Sequence, residues 1–266
     1  MFKTRLLSGI LLVIIALATI ISGGYVLFGT LLIISLIGMS ELYKILDIHK
    51  SPLGIVGYIA AIAYYFLGVM QENDPTFVFI LFLLALMFVY VFSYPKYRSE
   101  HVMLAFFGMF YVACMLSFVF KTRMFLEQGA FLVWLVFLCS WGSDTSAYCV
   151  GMLLGKHKLA PVLSPKKSIE GAVGGVAGAS LLSAVYALAI NHFVSGVDLG
   201  AGQCAIIGAV GSVISQVGDL AASAIKRNHD VKDYGKLIPG HGGILDRFDS
   251  VIFTAPIIYY LAIILM

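Results

Sequence analysis

Nine apolar runs, most of them close to the length that crosses a lipid bilayer, dominate this 266-residue chain. They cover approximately 6–22, 24–43, 52–70, 76–93, 101–120, 130–153, 169–191, 200–225 and 248–266. A hydrocarbon core about 30 Å thick is crossed by about 20 apolar residues in a helix. Lipid offers no partner to a backbone amide, so each run must satisfy its own hydrogen bonds, and the helix is the form that does so. The short alternating strands of a membrane barrel are not present in the pattern. Composition excludes a soluble alternative: 61% of residues are hydrophobic and 12% charged, against about 25% charged in an ordinary soluble domain. The expected fold is all-α, a polytopic integral membrane protein of about nine transmembrane helices in a lipid bilayer.

The first run resembles a signal peptide at first sight, because Lys3 and Arg5 precede apolar residues that end in Ser22-Gly23-Gly24. A second apolar run follows at once, which favours a retained first helix. Cys114, Cys139, Cys149 and Cys204 lie inside apolar runs without metal-ligand spacing and are expected to be small buried side chains.

With nine spans, the connecting segments alternate sides, and the placement of Lys and Arg then sets orientation. One side receives 15 of the 17 basic residues, while the other receives only Lys121 and Arg123. The N-terminus is therefore expected to be cytoplasmic and the C-terminus outside. The two longest loops, about 154–168 and 226–247, fall on the cytoplasmic side. Residues 1–125 are nearly free of charge within their spans and read as a scaffold half. Residues 126–266 hold the unusual polar groups and read as the working half.

Ionisable side chains within membrane spans are costly and mark function by default. Asp144 lies in Ser140-Trp141-Gly142-Ser143-Asp144-Thr145-Ser146-Ala147-Tyr148, where Ser140, Asp144 and Tyr148 recur at helical spacing. Asp219 belongs to a stripe of Ser215, Gln216, Asp219, Ser223, Lys226 and Arg227 that runs toward the cytoplasmic end of its span. A polar ladder gluing helices together explains the serines equally well. An aspartate in line with a Lys-Arg pair is less easily explained that way.

The loop after that span is the most informative stretch. It combines Lys232, Lys236, a Pro239-Gly240-His241-Gly242-Gly243 turn, Asp246, Arg247 and Asp249. Pro and Gly permit a tight, positive-φ backbone that brings amides close to a ligand. Asp246 and Asp249, three apart, face the same way if helical and suit a hard divalent cation; first-turn capping accounts for one of them. The loop before span seven, Ser164-Pro165-Lys166-Lys167-Ser168-Ile169-Glu170-Gly171, repeats the chemistry in smaller form. Ser168 reads as a helix N-cap and the lysines as topology signals, or the segment is a phosphate-binding loop. Carboxylates for a metal and cations for phosphates, at the cytosol–membrane boundary, suggest phosphoryl or nucleotidyl transfer to a lipid.

Ser223 to Asp249 resembles the signature of the phosphatidate cytidylyltransferases, also called CDP-diacylglycerol synthases. The pattern is carried by Ser223, Lys226, Arg227, Lys232, Asp233, Pro239, His241, Gly242, Gly243, Asp246, Arg247 and Asp249, without departure. Asp144 to Tyr148 and Ser164 to Gly171 resemble family segments too, with Ser168 where Thr is usual. The resemblance covers about the last 130 residues.

It implies nucleotidyl transfer from CTP to phosphatidic acid, giving CDP-diacylglycerol and pyrophosphate, with Mg2+ and room for a second cation. By resemblance Asp219 and Asp246 are metal ligands, with Asp249 and Asp144 behind them. Asp219, Asp246, Lys226, Arg227 and Lys167 would carry the reaction. Asp144, Ser164, Lys166, Ser168, Ser223, Lys232, His241, Gly242, Gly243 and Arg247 would bind substrate. The resemblance also places the protein in a bacterial plasma membrane with its site toward the cytoplasm. No nucleic-acid partner is expected, and a homodimer is left open. A CTP-dependent lipid kinase of the dolichol kinase type is the second reading, and a transporter with buried aspartates the third.

Overall fold

The computed structural model describes residues 2–71, 74–240 and 242–266, with side chains from residue 9 onward. Helices account for nearly all of it: α1 (Phe2–Ser22), α2 (Gly24–Ile45), α3 (Pro52–Val69), α4 (Thr76–Phe92), α5 (Ser99–Phe125), α6 (Gly129–Leu154), α7 (Ile169–Phe193), α8 (Ala201–Asn228) and α9 (Leu245–Leu265). Among the described residues seven of these, α2, α3 and α5 to α9, are long and apolar enough to cross a membrane. Two shorter apolar helices, Gly9–Ser22 and Thr76–Phe92, fall on the remaining expected runs. The chain is an all-α integral membrane protein, as its hydropathy required.

The chain divides into two compact units, Met1–Phe120 with Asp233–Arg247, and Lys121–Lys232 with Phe248–Met266. In the first unit the core is built around tyrosines. Tyr43, Tyr64 and Tyr65 are fully buried. A buried hydroxyl needs a partner, and each finds one: Tyr43 donates to the Ala105 carbonyl, Tyr64 pairs with Ser117 at 3.0 Å and Tyr65 with Ser35 at 2.8 Å. Glycine makes room for the Tyr43 ring. A Cβ at Gly108 would lie 2.2 Å from its Cε1, and one at Gly57 2.5 Å from its hydroxyl.

In the second unit α7 lies beside α8 and the end of α6, and hydroxyls join the helices. Ser143 pairs with Ser212 at 2.7 Å and Ser140 with Ser250 at 2.5 Å. The Gln216 amide donates to the Ala172 carbonyl at 3.1 Å. Lipid gives no hydrophobic drive for helices to associate, so such bonds and close packing take that role.

Two local features depart from expectation. Residues Leu138–Gly142 form a π-helical turn inside α6, which breaks the i, i+4 register. Ser140 is buried, whereas Asp144 and Tyr148 are exposed. The segment before α7 is a small antiparallel hairpin, β1 (Lys158–Ala160) with β2 (Ser164–Ser168), pairing Lys158 with Ser168 and Ala160 with Ser164. Strand runs this short leave no periodicity to detect. Of the cysteines, Cys114, Cys139 and Cys204 are buried, but Cys149 is exposed on α6.

Candidate active site

The expected site residues fall into two groups, one in each unit. The second unit holds Asp144, Lys167, Asp219, Lys226 and Asp249. Strand β2 presents Lys167 to Asp219 of α8 as a direct ion pair, with about a quarter of each side chain exposed. Two turns further along α8, Lys226 faces Asp249 of α9 at 4.0 Å, and both side chains are nearly withdrawn from solvent. The charged neighbours of Asp249 are Asp219, Lys226 and Asp144. Three carboxylates from three helices are thus gathered with two ammonium groups. An unpaired charge at the depth of Asp249 would carry a large desolvation penalty, which Lys226 offsets.

The surrounding backbone explains how these side chains are aimed. Ser168 ends β2 and caps α7, its Oγ accepting from the Gly171 amide at 3.1 Å. Glu170 binds back to the hairpin, accepting from the Lys156 amide at 3.1 Å and pairing with His157 Nδ1 at 2.5 Å. Lys167 is therefore held between a cap and a strand. At the other end of the group, Arg227 is exposed and donates Nη1 to the Val231 carbonyl at 2.9 Å. Lys166 and Lys232 are exposed, and Ser164 and Ser223 are half-buried. The hydroxyl of Ser215, one turn before Asp219, is buried without a hydrogen-bond partner among the described residues.

The first unit holds the glycine-rich loop. Gly240 and Gly242 have φ of 77° and 83°, the left-handed conformation that only glycine adopts without strain. The Ile238 amide donates to the Gly242 carbonyl at 2.8 Å and closes the turn. Asp246 does not wait idle for a ligand: its Oδ2 accepts from the amides of Tyr234 at 2.8 Å and Gly243 at 2.9 Å. The Gly243 amide is thereby committed within the loop. Arg247 follows, with its Nε buried and without a hydrogen-bond partner among the described residues. His241 lies outside the described residues.

One residue of this group escaped the sequence reading. Glu41, at the end of α2, is 4% exposed. Its carboxylate accepts from the amides of Ile244 at 3.1 Å and Leu245 at 2.8 Å. A signal was available, since Glu41 is the only charged residue inside the first five apolar runs.

A cavity of about 200 Å³ lies elsewhere in the second unit, lined by Glu127, Asp198, Gln203 and Met266 among others. It occupies the far ends of α8 and α9 from Asp219 and Asp249, and its charged groups are acidic, the wrong sign for phosphates.

The donor set suits a divalent metal that keeps part of its shell for other ligands. Among the described residues no three His, Cys, Asp or Glu side chains converge tightly enough to enclose an ion alone. Mg2+ is commonly held by one or two carboxylates, with substrate phosphates and water completing the octahedron. Asp219 and Asp249, which act on each other electrostatically, are the carboxylates that could contribute to such a shell.

Comparison with known proteins covers almost the whole chain. The sequence model described as "Cytidylyltransferase family" matches residues 3–265. The chain is 36% identical to the phosphatidate cytidylyltransferase of Staphylococcus aureus (strain COL), covering 98% of this chain and 99% of that one. Over the same shares of both chains it is 35% identical to the enzyme so named in Staphylococcus epidermidis (strain ATCC 35984) and 33% to that of Staphylococcus saprophyticus. The match is not confined to the signature loop but runs through the scaffold helices as well, and the chain belongs to the cytidylyltransferase family.

Proposed function

We propose that this protein transfers a cytidylyl group from CTP to phosphatidic acid, giving CDP-diacylglycerol and pyrophosphate for phospholipid synthesis. The observation that carries the reading is the pair of lysine–aspartate contacts, Lys167 with Asp219 and Lys226 with Asp249. In the structure these charges satisfy one another. A metal–triphosphate complex brings both signs, so the lysines can turn to phosphate oxygens while the carboxylates keep a cation, and no buried charge is left alone.

The nucleophile is the phosphate of phosphatidic acid, which is anionic near neutral pH, so no strong general base is needed. Its oxygen forms a bond to the α-phosphorus of CTP as the bond from that phosphorus to the bridging oxygen of pyrophosphate breaks. Mg2+, when bound, would neutralise the triphosphate and stabilise the pyrophosphate leaving group. Lys167 and Lys226 supply point charges to the phosphates, and Arg247 supplies a fork whose Nε has no hydrogen-bond partner among the described residues. Asp246 keeps the glycine-rich loop in shape. Basic residues are concentrated on one side of the expected spans, and this supports a site that faces the cytoplasm of a bacterial plasma membrane.

Purified protein given phosphatidic acid vesicles and CTP labelled at the α-phosphate should place label in the lipid and release pyrophosphate. Label entering the lipid from the γ-phosphate instead would identify a lipid kinase. The absence of any product would leave the transporter reading.

A further inference from the structure

Glu41 carries a charge where the scaffold half has no other within its spans. Desolvation makes such a carboxylate expensive, and it persists only where strong hydrogen bonds return what water supplied. Those bonds come from the start of α9. Oε1 accepts from the Ile244 amide and Oε2 from the Leu245 amide, 203 and 204 residues away in sequence. Two glycines of the loop close over the same carboxylate. A Cβ at Gly235 would stand 2.3 Å from Oε1, and one at Gly243 would stand 2.5 Å from either oxygen. The next residue after Leu245 is Asp246, which gathers the amides of Tyr234 and Gly243. Two carboxylates therefore fix both ends of the loop. The segment so fixed delivers Arg247, whose buried Nε has no acceptor among the described residues.

We propose that Glu41 is a positioning residue: by holding the first amides of α9 it fixes the loop Tyr234–Leu245 and aims Arg247 at substrate phosphate. This deepens the cytidylyl-transfer reading and rests on it. The backbone amides are neutral donors, so an anionic acceptor is worth more than a neutral one. An amide in place of the carboxylate presents an N–H2 group to one of the two donors, so one bond is lost and a repulsion gained.

The test compares two variants of the full chain in detergent. Glu41→Gln removes the charge at constant size, and Gly235→Ala displaces the carboxylate from the opposite side without altering it. Three quantities are measured: melting temperature, kcat/KM for CTP, and the rate of tryptic cleavage after Lys232 and Lys236. Both variants should melt within a few degrees of the parent, cleave faster in the loop, and lose at least ~10-fold in kcat/KM. Parent-like kcat/KM in either variant overturns the proposal. So does a loss of activity that only follows the loss of folded protein, because that describes a brace and not a positioning residue. If the parent itself makes no CDP-diacylglycerol, the cytidylyl-transfer reading falls. The cleavage ratio then decides alone whether Glu41 holds the loop.

Discussion

Lys226 of α8 and Asp249 of α9 face each other at 4.0 Å, with side chains only 10% and 11% exposed. The pair joins the last turn of one membrane helix to the first turns of another, and it places a cation where the C-terminal end of the α8 dipole favours one.

Removing one partner of that pair should cost stability and activity together. Lys226→Met strands Asp249 and is expected to destabilise the second unit by about 3–5 kcal/mol. Lys226→Met with Asp249→Asn should recover much of that stability while remaining inactive. Unfolding in detergent, arranged as a double-mutant cycle, measures the coupling. Additive effects would show that the two side chains do not interact.

Asp219→Asn should abolish Mg2+-dependent turnover, by at least about 10³-fold for loss of a metal ligand, and Asp246→Asn should lower turnover by loosening the glycine-rich loop whose amides it holds. The two should differ in a second respect. Asp246→Asn weakens the acceptor of the Tyr234 and Gly243 amides, so its loop should become more sensitive to trypsin, whereas Asp219→Asn should leave the loop unchanged. Chelation of Mg2+ should silence the parent protein, and readdition should restore it.

Lys167→Arg should insert normally but lose at least about tenfold in kcat/KM, roughly 1.4 kcal/mol. Lysine is a compact charge and arginine a planar fork, so the substitution keeps the sign while misplacing it beside Asp219. Lys158→Arg, exposed in β1 of the same hairpin, serves as the control and should be nearly silent. Equal small effects at both positions would assign Lys167 to topology alone.

Single cysteines at Ser164, Lys236 and Met266, in a background lacking the four native cysteines, test orientation. An impermeant thiol reagent applied to right-side-out vesicles should label only the Met266 position. Labelling of the two loop positions would invert the topology and place the site away from cytosolic CTP.

Much of this protein is determined by sequence alone, because the membrane reads sequence locally. Whether a run near 20 residues is apolar decides whether it crosses, and the described helices begin and end within a few residues of the apolar runs. The signature from Ser223 to Asp249 was legible for a related reason: glycine, proline and charged residues at fixed spacing are themselves the chemistry. Tertiary structure decided which charge meets which. Asp246 and Asp249 are one turn apart, yet one gathers loop amides while the other faces Lys226. Nothing in the apolar run marks the π turn at Leu138–Gly142, one widened turn inside an otherwise continuous helix. Glu41 gained its role only when folding brought α2 to amides 203 residues along the chain. No window along the sequence contains both partners of such a bond, and burial, which makes the bond strong, exists only once the helices have assembled.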